Sequence, residues 1–163
     1  LSRILLAVSL IPRIALLILM ITLLVDMMLG VFFRYVVGQA LSWSEEVGTL
    51  SLVWLTFIGG AIGVHRGSHF AIHLLLDHLG PTGQRIANAA VALLILLLGA
   101  LLVPTGLRLV ATNATSETPA LGLNLGVLYA SAVVGGALMV CYAAAQLLDV
   151  LRGRPEAVGG VPE

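Results

Sequence analysis

The sequence predicts an all-α integral membrane protein, with four transmembrane helices and an amphipathic interfacial helix in the cytoplasmic connector between spans 2 and 3. Three observations carry that prediction. Only 10% of the 163 residues are charged and 60% are hydrophobic, whereas a soluble domain is about 25% charged. Mean hydropathy is +1.10, so too little polar surface exists to cover a globule in water, and the solvent must be largely lipid. The apolar residues also gather into four runs, at residues 14–33, 47–64, 86–107 and 127–148. Each approaches the ~20 residues that a helix needs to cross the hydrocarbon. The chain is therefore expected to form a single four-span membrane domain over 1–163.

The first run is interrupted only by Thr22 and Asp26 among strongly polar types. It is longer than the roughly 7–15-residue apolar core of a cleaved signal peptide. Arg34 also separates it from Gly38-Gln39-Ala40, the small residues that would suit cleavage. In the connector 34–46, Tyr35 and Trp43 suit a membrane–water interface. Ser42-Trp43-Ser44-Glu45 reads as a capping box with Ser42 as N-cap. Glu45 and Glu46 then fall in a helix's first turn, where negative charge suits the dipole.

Residues 47–64 form the second span, free of formal charge. Beyond it His65, His69, His73 and Asp77 recur every four residues, along one drifting helical row. A helix over 66–79 is too short and too polar to span, and suits the interface plane. Gly80-Pro81-Thr82-Gly83 is expected to end it. The third span carries Pro104 near its end, where a missing hydrogen bond costs least. A Thr-rich connector, 108–126, leads to the fourth span, and 152–163 reads as a mobile polar tail.

All eight basic residues are arginine and the net charge is zero, which leaves no footprint for nucleic acid. With the N-terminus inside, Arg3, Arg13, Arg66, Arg85, Arg152 and Arg154 lie inside, against Arg34 and Arg108 outside. The positive-inside rule then places both termini in the cytoplasm. Cys141 stands alone and forms no internal disulfide.

The candidate chemistry is sparse. The histidine row resembles a metal site, but its drift keeps one ion from reaching all four groups, and a headgroup-facing stripe explains the same spacing. Haem ligation calls for histidines inside facing spans, and here none lies in a span. Asp26 is the one carboxylate within a span; such a residue is costly unless functional or paired, and pairing within a helix bundle is the favoured reading. Glu45 and Glu46 point about 100° apart on a helix, so they suit a cap or an inter-subunit salt bridge better than acid–base catalysis. Gly59-x3-Gly63 permits close helix approach. No hydrolase, metalloprotease or phosphate-loop motif is present. The reading is of a protein that is not an enzyme and has no cofactor or metal.

The central stretch resembles the small membrane subunit, the Q subunit, of tripartite ATP-independent periplasmic (TRAP) transporters. The resemblance rests on Arg34-Tyr35, Trp43-Ser44-Glu45-Glu46, Trp54 with Phe57-Ile58-Gly59-Gly60-Ala61, and Arg66-Gly67-Ser68-His69. The four-span layout and residues 129–136 agree with it. The family's proline-glycine step shortly after Tyr129 is replaced here by Ala130-Ser131-Ala132-Val133-Val134-Gly135. The resemblance implies a scaffold subunit in the bacterial inner membrane, beside a large TRAP membrane subunit that carries the substrate and sodium sites. A periplasmic solute-binding protein would deliver an organic acid. It further implies packing roles for Asp26, Gly59 and Gly63, and interfacial anchoring by Arg34 and Trp43. The segment with Arg66 and His69 would brace the cytoplasmic side. A membrane anchor of an electron-transfer complex, with or without haem, and a self-standing structural protein stay open on the residues alone.

Overall fold

The computed structural model describes residues 2–65 and 81–151. They form α1 (Ser2–Phe32), a π-helical turn (Phe33–Val37), α2 (Ser44–His65), α3 (Pro81–Thr112) and α4 (Gly126–Leu151). Four segments are long and apolar enough to cross a membrane: Leu10–Val37, Ser44–Val64, Ile86–Thr112 and Gly126–Leu148. The expected interfacial helix at 66–79, with Arg66 and His69, lies outside the described residues, as does the tail 152–163.

The helices run further than the apolar runs suggest. α1 continues through Pro12 and Arg13, and α3 continues past Pro104 to Thr112. Pro81, read from the sequence as part of a terminator, is the first residue of α3. That position tolerates proline because its missing N–H would be unpaired there anyway. α1 ends through the π turn into Gly38, whose φ of 74° and ψ of 13° are left-handed, a conformation that glycine adopts without strain. Gly38 N–H donates to Phe33 O, and Gln39 N–H donates to the same oxygen at 3.1 Å.

The four helices form two antiparallel hairpins joined side by side, in the order α1, α2, α4, α3. Between α1 and α2, Gly30 faces Ser44, Asp26 faces Gly48 and Leu16 faces Gly59, one number falling as the other rises. Between α3 and α4, Val110 meets Gly126, Gly106 meets Val133 and Gly99 meets Val140, again antiparallel. α2 and α4 run parallel, pairing Phe57 with Gly135 and Gly60 with Met139.

Glycine sets the spacing of the last two seams. A Cβ on Gly135 would lie 2.7 Å from Phe57 Cβ and 2.9 Å from Phe57 O. One on Gly136 would lie 3.0 Å from Leu102 Cβ and 3.3 Å from Gly99 O, on the α3 side. Adjacent helical residues point about 100° apart, so this doublet lets α4 be approached from both sides at once. The glycines singled out in the sequence do less. A Cβ on Gly59 would touch only Leu16, at 3.8 Å, and one on Gly63 would meet nothing within 4 Å. Hydroxyls inside the helices turn back on their own backbone: Thr56 donates to Leu52 O, Thr105 to Leu101 O and the fully buried Ser131 to Leu128 O. That removes unpaired donors from the apolar spans.

Gly135→Ala is expected to destabilise the fold. Overpacking costs about 1–3 kcal/mol, and the fixed Phe57 carbonyl puts this site toward the upper end. The helix-propensity gain is only about 1 kcal/mol. Gly63→Ala takes that gain with nothing to displace. Thermal unfolding in detergent should move down for the first variant, and stay level or move up for the second.

Candidate functional site

The polar side chains converge on the end of the molecule where α2 and α4 begin. Val47 N–H donates to Trp43 O at 3.1 Å, so α2 starts with Trp43, not Ser42, as its flanking residue. The expected capping box does not form, because indole offers no acceptor at that position, and Glu46 rather than Glu45 is the third helical residue. Its carboxylate does not fold back on the helix. One oxygen accepts the Ala120 N–H at 2.8 Å and the other the Leu121 N–H at 2.9 Å. The Thr118 side chain adds a further hydrogen bond. Hydrogen bonds to an ionised group are shorter and roughly twice as strong as neutral ones. Glu46 thus clamps the α3–α4 loop onto the start of α2.

The loop is built to present those N–H groups. Thr118 N–H donates to Leu123 O at 2.8 Å and Leu125 N–H to Ser116 O at 2.9 Å, flanking an antiparallel bridge between Glu117 and Asn124. Gly122, with φ of 63°, makes the reversal, and its N–H donates to Thr118 O. Asn124 holds both ends of the loop. Its amide donates to Ala114 O, and its Oδ1 accepts the Gly126 N–H at 2.6 Å as α4 begins. Asparagine is among the residues preferred for satisfying N–H groups at a helix start.

Two further ties join α2 to α4. The Trp54 indole N–H donates to Val127 O at 3.1 Å. Near the opposite end of α2, the Gln146 amide donates to Val64 O at 2.7 Å, a carbonyl next to the last described residue of that helix. Sequence reading identified Trp54 but missed Thr118, Asn124, Ser131 and Gln146. For Asn124 a usable signal existed: an amide side chain three residues before the next apolar run.

The other sequence candidates are placed apart. Glu45 is exposed, and its carboxylate makes no hydrogen bond or ion pair among the described residues. Arg34 is exposed on the π turn, and Trp43 is half-buried at the start of α2. Asp26 is buried in the α1–α2 seam at 4% exposure. Its Oδ2 would lie 3.1 Å from a Cβ on Gly48, and its Oδ1 has no hydrogen-bond partner among the described residues. Between α2, the loop and α4 lies a cavity of about 340 Å³, lined by Glu45, Leu50, Pro119 and Leu128 among others.

Residues 23–153 match the DctQ component of tripartite ATP-independent periplasmic transporters. The chain belongs to that family. This DctQ-family chain is 26% identical over 123 residues to a Haemophilus influenzae protein assigned as a TRAP transporter small permease, covering 76% of each chain. It is 31% identical over 110 residues to the sialic acid TRAP transporter small permease SiaQ of Vibrio cholerae, covering 66% of this chain and 62% of that one. Identity to the C4-dicarboxylate small permease DctQ of Rhodobacter capsulatus is 30% over 109 residues, 63% of this chain and 46% of that one. The match thus spans less than two thirds of the length of the latter two. The DctQ family is a transporter component and not an enzyme, and its membership agrees with a multi-pass membrane chain.

Glu46→Ala should loosen the loop at 113–125 and leave the helices formed. Added protease in detergent should cut that loop several-fold faster than in wild type, whereas Glu45→Ala should leave the cleavage rate unchanged. Asn124→Ala should cost about 1 kcal/mol, the usual loss for a helix cap, read as a lowered unfolding midpoint.

Proposed function

We propose that this chain is the small scaffold subunit of a secondary-active, sodium-coupled TRAP transporter that imports an organic acid. It packs against and stabilises a large membrane subunit, and a periplasmic binding protein delivers the solute to the complex. The observation that carries this reading is the open arrangement of the helices in a DctQ-family chain. α1 and α3 stand at the two edges of the row, each packed mainly on one neighbour. Leu17, Ile21, Leu24 and Met28 of α1, and Leu94, Leu97 and Leu101 of α3, are exposed. Such surfaces suit a protein partner in the bilayer as well as lipid.

The solute class is supported by the names of two relatives, which transport sialic acid and C4-dicarboxylates, both carboxylates. The arginine distribution supports an inner-membrane orientation with both termini cytoplasmic. In that orientation the Glu46-clamped loop is periplasmic, with Arg34 and Trp43 anchoring the same interface. Gly59 faces α1 through Leu16, whereas Gly63, which meets nothing within 4 Å among the described residues, leaves room for a neighbouring helix. Arg66 and His69 would brace the cytoplasmic side.

Affinity purification of the tagged chain from native membranes in mild detergent is expected to recover a stoichiometric large polytopic protein. Deleting the chain is expected to abolish sodium-dependent uptake of the solute. Recovery of the chain alone, with uptake intact in its absence, would overturn the reading.

A further inference from the structure

We propose that the cavity beside Glu45 is a socket for one basic side chain, a lysine or arginine of the large membrane subunit, with the Glu45 carboxylate as its partner. This rests on the scaffold reading above and deepens it.

The cavity is a half-open pocket of about 340 Å³, and most of its wall is apolar, including Leu50, Pro119, Leu125, Val127 and Leu128. Its polar groups are nearly all committed. Both Glu46 oxygens accept loop N–H groups. The Thr49 hydroxyl donates to the backbone oxygen of Glu45 at 2.7 Å and not to its carboxylate. The Asn124 amide group is spent on Ala114 and Gly126. Glu45 therefore supplies the one lining charge with no partner among the described residues. An apolar wall with a single free carboxylate matches a side chain that is a hydrocarbon stem ending in a cation. Lysine and arginine lay such stems along apolar surface and carry the charge to its edge.

Charge and depth select the source. No basic residue lines the cavity, while Glu45 and Glu46 both do. A phospholipid headgroup would bring its phosphate against two carboxylates, and like charges repel most where water is scarce. Depth argues against a soluble partner. Leu50 lies about 9 Å along α2 from its start, and Val127 and Leu128 open the apolar span of α4. A membrane partner reaches that depth.

The test uses the tagged chain co-expressed with its large membrane subunit and purified in mild detergent. Glu45→Arg places like charges together, which costs several kcal/mol at an interface, and should lower recovery of the large subunit by about tenfold or more. Glu45→Asp should retain most of it, and the amount of this chain in the membrane should be equal in both. Undiminished recovery with Glu45→Arg would overturn the proposal. A photo-crosslinking residue in place of Leu50 should join a lysine- or arginine-containing peptide of the large subunit. Crosslinks confined to lipid or to the soluble binding protein would overturn it. If the wild-type chain recovers no large subunit, the scaffold reading itself fails, and that result is distinct because no substitution is involved.

Discussion

The contact between Gly135 and Phe57 fixes how the two hairpins can meet. Lipid tails are as apolar as leucine, so helices in a bilayer gain little by hiding hydrocarbon from one another. Association depends instead on close packing and on hydrogen bonds. With α4 backbone pressed against the Phe57 carbonyl, dispersion contacts accumulate along a whole seam, small individually and large in sum. Gly136 permits the same approach on the α3 side. Two neighbouring glycines thus make α4 the helix around which the others are ordered. Its span is 39% buried, against 6% for the span that includes α1.

Polar ties then set the register of what packing brings together. Glu46 binds α2 to the loop at one end, and Gln146 binds the last turn of α2 to α4 at the other. Trp54 adds a third bond to Val127 O. Both main ties sit at the ends of α2: a first-turn carboxylate in the first case and the Val64 carbonyl in the second. A slide of α2 along α4 by one helical turn, about 5.4 Å, would break all three. Register is therefore specified by polar groups, while proximity is specified by glycine.

The spans were legible because hydropathy is a property of runs, and each run survives errors of several residues at its ends. The importance of the Glu45–Glu46 pair was also legible, since two acids beside a tryptophan at a helix start are unusual in so apolar a chain. Their division of labour was not. A shift of one residue in the helix start, from Ser42 to Trp43 as the flanking position, exchanges which glutamate faces the loop. The tight glycines were equally hidden. Gly59 and Gly63 show the familiar four-residue spacing, yet the decisive contacts fall at Gly135 and Gly136, whose doublet has meaning only once α4 is known to be central. The proline-glycine step absent after Tyr129 left that region with little to recommend it, although Ser131 is fully buried there and Gly135 meets the Phe57 backbone.

The open row also changes what a substitution can do. In a soluble protein, exposing Leu17, Ile21, Leu24 and Met28 along one helix would create an aggregation-prone surface. In a bilayer the same face is solvated by lipid, and its sequence is constrained mainly to remain apolar. Constraint concentrates where backbone meets backbone and where a carboxylate or amide meets a terminal N–H or C=O. α1 stands at the edge of the row. Its seam with α2 rests on Gly30, Gly48 and Leu16 contacts and contains an Asp26 oxygen with no partner among the described residues. A buried polar atom without a partner subtracts from the stability of the seam that contains it. The chain thus sets α1 at the edge of the row, joined to α2 by a seam that contains a buried carboxylate.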